Sequence, residues 1–119
     1  MNHHPNLNNI ALPSPNTAVG NYSMSRIHDN LIYTSGHIPL DEQKSPITGV
    51  VGHTVSLEEA VKIARRIGLQ LLSTLQESLG DLNRIEHIIK ITGFVNATVD
   101  FKDHAKVLNG CSDLMCESF

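Results

Sequence analysis

Apolar and small residues recur at positions 57, 60, 61, 64, 68, 71, 72, 75 and 79. That spacing keeps them on one side of a 3.6-residue helix for about six turns. Ser56 with Glu59 three residues on makes a capping box in front of the stripe. Gly80 supplies the left-handed residue that ends a helix. The pattern therefore predicts a helix over 57–79. Gly68 within it costs about 1 kcal/mol against alanine, so it marks a close approach, expected against a sheet.

Shorter patterns surround this helix. Residues 18–24 read as a short strand, and Asp29-Asn30 as the bend into a second strand over 31–35. Residues 40–49 are charged and interrupted by Pro46 and Gly49, hence a loop, and Val50-Val51 offers a short third strand. From Ile85 to Asn96 apolar residues are nearly continuous, the pattern of a central strand covered on both faces, one of them a candidate subunit interface. Asp100 is placed to cap a second helix, with Phe101, Ala105, Leu108, Ser112, Met115 and Phe119 along one side and Gly110 marking a local bend. Residues 1–16 carry three of the five prolines and five asparagines without periodicity, and read as a polar arm ahead of a single domain over 17–119. The expected class is α+β, two helices packed on one face of a mixed sheet. The other sheet face is left bare, which self-association would cover.

Composition narrows the function. Nine basic against twelve acidic residues give a net charge of −3, and the basic residues are scattered, so a general phosphate-binding surface is not expected. Arg65-Arg66, the one adjacent basic pair, reads as a solvated helix face. Cys111 and Cys116 lie five apart in the second helix, about 140° around its axis, and read as free thiols of a reducing compartment. The seven histidines show no metal-ligand spacing, and neither cysteine has a nearby base to make it a nucleophile. No stretch approaches the roughly 18 apolar residues of a membrane span, so the expected setting is the cytoplasm or an organelle interior.

The stretch Leu31-Ile32-Tyr33-Thr34-Ser35-Gly36-His37-Ile38-Pro39 carries the candidate chemistry. A strand runs into Ser-Gly and is stopped by proline, which holds a hydroxyl and a bare backbone at a strand end. Together with Ala18-Val19-Gly20-Asn21-Tyr22, Gly80-Asp81-Leu82, Ile89-Lys90-Ile91-Thr92-Gly93-Phe94-Val95-Asn96, Asp100-Phe101 and Asn109, it resembles the RidA/YjgF family of reactive-intermediate deaminases, also labelled endoribonuclease L-PSP. The likeness covers about residues 13–109.

The resemblance implies a chorismate-mutase-like α+β fold and a homotrimer with ligand clefts between subunits. It implies hydrolysis of enamines and imines such as 2-aminoacrylate to a keto acid and ammonia, without metal or organic cofactor. Carried over, Ser35, Gly36 and Asn109 are the candidate catalytic residues, and Tyr22 lines the cleft. His37, beside Ser35-Gly36, joins Tyr22 as a candidate substrate contact. The family's carboxylate-gripping arginine and water-orienting glutamate fall after the second helix, at positions these 119 residues do not include. The expectation is a C-terminally incomplete domain with impaired activity. A non-catalytic binding trimer and RNA cleavage are the alternative readings; nucleic acid and membrane partners are not expected.

Overall fold

The computed structural model describes residues 2–119. Strand β1 (Ser25–His28) pairs antiparallel with β2 (Leu31–Thr34), in the register Ser25–Thr34, Arg26–Tyr33, Ile27–Ile32 and His28–Leu31. Helix α1 (Leu57–Leu79) and helix α2 (His104–Ser118) complete the regular elements, with 3₁₀ turns at Pro5–Asn9 and Leu82–Arg84. The class is α+β, as the patterning predicts.

Helix α1 forms where its local signals place it. The Ser56 hydroxyl accepts the Glu59 N–H at 3.1 Å, and the Glu59 carboxylate accepts the Ser56 N–H at 3.3 Å. Gly80 closes the helix at φ 81°. The bend between the strands also falls at Asp29-Asn30, with Asp29 in the left-handed region at φ 53°.

The strands differ more from expectation. The first lies at 25–28 rather than 18–24, because Gly20 and Asn21 turn the chain there. Among the described residues the sheet is two-stranded and antiparallel, and parallel pairing outside it is limited to bridges from Val51 to Ala97 and to Val55. Residues 85–96 form no strand ladder. A ladder needs a hydrogen-bonded neighbour along its length, and this segment meets one only at its end, where the Val51 N–H donates to Asn96 O at 2.9 Å and the Thr98 N–H to Val51 O at 3.0 Å. Its burial alternates nonetheless: Ile91, Gly93, Val95 and Ala97 turn inward, while Phe94 is almost fully exposed. One face is covered, not two.

The core is the α1–α2 interface. Leu72, Leu75, Leu82, Ile85, Cys111, Leu114 and Met115 form one buried cluster, and Val51, Ala60, Ala64 and Val107 a second. Helix α2 begins at His104, four residues after the expected cap Asp100, with Asp103 in the cap position and no side-chain cap bond. Its buried face is Val107, Gly110, Cys111, Leu114, Met115 and Ser118, rotated from the expected one so that Ala105 is exposed and Leu108 lies against Gly93. The smallest side chains select this face. A Cβ on Gly68 would stand 2.9 Å from Leu114 Cδ2 and 3.3 Å from Cys111 Sγ. One on Gly110 would stand 3.1 Å from the Arg65 backbone nitrogen and would overlap the Val61 carbonyl oxygen. Gly68 therefore admits α2 rather than the sheet. Gly110 marks a helix contact, not a bend.

Residues 2–16 lie against the helices. The His4 N–H donates to Asn83 Oδ1 at 2.8 Å, His4 Nε2–H to Ile85 O at 2.6 Å, and the ring stands edge-on to Phe119. Ser73 Oγ donates to Pro13 O at 2.6 Å, and Leu7, Ile10 and Leu12 join the first cluster. Cys111 is buried and Cys116 exposed, and both are free. Burial raises the Cys111 thiol pKa. Among the described residues no helix is long and apolar enough to cross a membrane.

Candidate functional site

A row of polar side chains runs along α1 at four-residue spacing: Arg66, Gln70, Thr74 and Ser78. Such residues lie one above the next on a helix, and each reaches the hairpin or the chain leaving it. Arg66 Nε donates to Leu40 O. Gln70 Nε2 donates to Ile38 O at 2.7 Å, while Gln70 Oε1 accepts the Leu40 N–H at 2.8 Å. Thr74 Oγ1 meets His37 Nε2 at 2.7 Å, and the Ser78 and Ser25 hydroxyls bond each other. Gln70 and Thr74 are only 2% exposed. Buried polar side chains keep their place only when partnered, so this row fixes where residues 37–40 run.

The strand end is held from the other side by Met24, the residue ahead of β1. The Ser35 N–H donates to Met24 O at 3.0 Å, and the Ser35 hydroxyl reaches the same oxygen at 3.3 Å. Ser35 O accepts from His37 Nδ1 at 2.9 Å. A carbonyl only accepts, so Nδ1 carries the ring proton and Nε2 of the neutral imidazole accepts the Thr74 hydroxyl hydrogen. Gly36 is exposed, a Cβ built on it meets nothing within 4 Å, and its N–H has no partner among the described residues.

Of the residues singled out from sequence, the structure brings together Ser35, Gly36 and His37. Both ring nitrogens of His37 are engaged inside the subunit, so the ring serves the turn. Tyr22 folds back over its own turn, its hydroxyl accepting the Val19 N–H at 3.4 Å. Asn109 is exposed on α2 with no side-chain hydrogen bond among the described residues. Arg66 belongs to the clamp, and Arg65 pairs with Glu117 at 3.0 Å, so the two arginines are not simply a solvated face. Gln70, Thr74 and Met24 were missed. The available signal was polar residues at four-residue spacing beside the apolar stripe of α1.

Two hollows, about 220 and 330 Å³, lie between residues 7–15 and α1. Neither is lined by Ser35, Gly36 or His37; both are lined by the N-terminal segment and the last turns of α1. The strand end is an open ledge. Among the described residues no three metal-ligating side chains cluster.

Burial lowers the His37 pKa below 6.5, and the bond to Ser35 O offsets part of that shift. A histidine depressed in the folded state binds protons more readily when unfolded, so its stabilising contribution is present above about pH 6.5 and fades as pH falls toward the folded value. Denaturant titrations between pH 7.5 and 5 are expected to show stability falling with acidification, more steeply in the wild type than in His37→Asn.

A family model described as "YjgF/chorismate mutase-like, putative endoribonuclease" matches residues 6–119. Protein TCP17 of Trypanosoma cruzi is 32% identical over 110 residues, which span 92% of this chain and 69% of TCP17. Among solved structures, the protein Atu1372 "with unknown function" from Agrobacterium tumefaciens superposes with TM-score 0.82 at 32% identity, over 94% of this chain and 69% of that one. A "putative endoribonuclease" from Shewanella oneidensis MR-1 superposes with TM-score 0.88 at 30% identity, over 95% of this chain and 75% of that one.

Proposed function

The chain belongs to the YjgF/chorismate-mutase-like family, and from that membership and the strand-end geometry we propose that it serves hydrolytic deamination of small enamines and imines. Water adds to the carbon of a protonated C=N bond, and the carbinolamine loses ammonia to leave a 2-keto acid. From 2-aminoacrylate the products are pyruvate and ammonia. The reaction asks for a held carboxylate, one placed water and exclusion of competing nucleophiles. The observation that carries the reading is exposed Gly36, whose N–H has no partner among the described residues, beside the Ser35 hydroxyl on a turn clamped from both sides. Ser35 and Gly36 hold substrate and water, and Tyr22 and Asn109 close the cleft. No metal or organic cofactor enters this scheme.

The ledge becomes a cleft when a second copy covers it. Leu31 and Tyr33, on the hairpin face opposite Ile32, are 38% and 59% exposed, and Ile38 is 55% exposed. Exposed large apolar side chains suit an interface, and a homotrimer is the assembly proposed. Arg65 and Arg66 are committed to Glu117 and to Leu40 O, so neither is assigned the carboxylate grip, and the expected rate is modest.

RNA cleavage is the second reading, favoured by the endoribonuclease descriptions of the family and of the Shewanella protein. It wants an acid–base pair and clustered cations, and the net charge here is −3. The two readings part in one experiment: ammonia release from enzymatically generated 2-aminoacrylate, run beside cleavage of a labelled RNA after exhaustive repurification. Ammonia above the spontaneous rate with intact RNA is the expected result. Cleaved RNA with no ammonia reverses the assignment, and inactivity in both with retained keto-acid binding points to a binding module.

A further inference from the structure

We propose that His37 is a positioning residue: it aims the Gly36 N–H out of the subunit at an oxygen of a bound small carboxylate, with Thr74 holding the ring for that task. The proposal rests on the reading of the strand end as a ligand site.

Ser35 C=O and Gly36 N–H belong to one peptide unit. No peptide bond among the described residues is cis, and in a planar trans unit carbonyl and N–H point in opposite directions. His37 Nδ1–H pulls the carbonyl toward its own ring, and Thr74, buried on α1, anchors that ring from behind. The Gly36 N–H is thereby turned away from the His37 ring, and Gly36 itself is exposed, a Cβ built on it meeting nothing within 4 Å.

A lock is needed there because glycine follows the peptide. Glycine visits most backbone conformations at little steric cost, so the Ser35–Gly36 plane could otherwise rotate and carry its donor inward. Gln70 fixes Ile38 and Leu40, and Met24 fixes the Ser35 N–H. Neither touches the carbonyl that sets this plane, and His37 does. Donation to the carbonyl also polarises the unit and strengthens its N–H as a donor. A donor held in place before binding spares the ligand the entropy of ordering it.

The test follows the Gly36 amide by ¹H–¹⁵N NMR during titration with pyruvate, in the wild type, His37→Leu, His37→Asn and Thr74→Val. The wild-type Gly36 resonance should move and saturate. His37→Leu should weaken binding about tenfold or more, the effect of losing an aimed hydrogen bond to an anion. His37→Asn places an amide N–H where Nδ1 stood, so it should restore binding to within about threefold, a rescue that bulk packing does not produce. If His37→Leu does not fold, Thr74→Val carries the test, with weaker binding expected. A wild-type Gly36 resonance that never moves overturns the proposal even where ammonia is released, as does pyruvate binding unchanged in a folded His37→Leu or Thr74→Val. A His37-dependent Gly36 response in a protein that releases no ammonia overturns the deaminase reading and leaves the positioning role standing.

Discussion

Gly110→Ala is expected to destabilise the protein by about 3 kcal/mol, although alanine is the better helix former by about 1 kcal/mol. The added methyl would overlap the Val61 carbonyl oxygen and stand 3.0 Å from the carbon bearing it. Both atoms belong to the backbone of α1 and cannot rotate aside, so the helices must separate, and with them Leu114, Met115 and Cys111 in the cluster they enclose. For a domain of this size the loss corresponds to roughly 10 °C in Tm. Gly68→Ala is the control. Its methyl meets the ends of the Leu114 and Cys111 side chains, which can shift, so about 1 kcal/mol is expected there. Thermal and denaturant unfolding of both variants checks the pair. A Gly110→Ala protein as stable as the wild type would mean that α2 does not approach α1 at this residue.

The same two glycines show what sequence could and could not carry. The bounds of α1 were legible because its start and stop are local: Ser56 and Glu59 cap each other, and Gly80 takes the left-handed turn. The role of Gly110 was not, because the atoms that require it are about fifty residues back along the chain. Residues 85–96 were legible as extended chain with an inward face. Their apolar continuity overstated the cover, since Phe94 faces solvent in the single subunit. At the site, Ser35-Gly36 announced itself through the strand that ends there. The meaning of His37 depended on Thr74, thirty-seven residues away, and no local pattern links the two.

Gly36→Ala is expected to leave the fold intact and remove most of the activity. The φ of Gly36 lies outside the left-handed region, and the new methyl meets no atom of the subunit within 4 Å. Stability should therefore change by less than about 0.5 kcal/mol, or rise slightly as the unfolded chain loses freedom. The methyl sits on the α-carbon next to the Gly36 nitrogen, and it is expected to crowd a ligand that comes to that N–H. A displacement of about 1 Å at a reacting centre costs on the order of 100-fold in rate, and that is the loss expected in kcat/KM. The contrast with Gly110 separates the two uses of glycine in this chain, one for helix packing and one for access.

The most direct measurement is the rate of ammonia release from 2-aminoacrylate by wild type and Gly36→Ala at matched concentration, with the Tm of each recorded on the same samples. The account predicts equal Tm values, a wild-type rate above the spontaneous one, and a variant rate about a hundredfold lower. Equal rates from two equally folded proteins would contradict it, because the hydrolysis would then take place away from the end of β2.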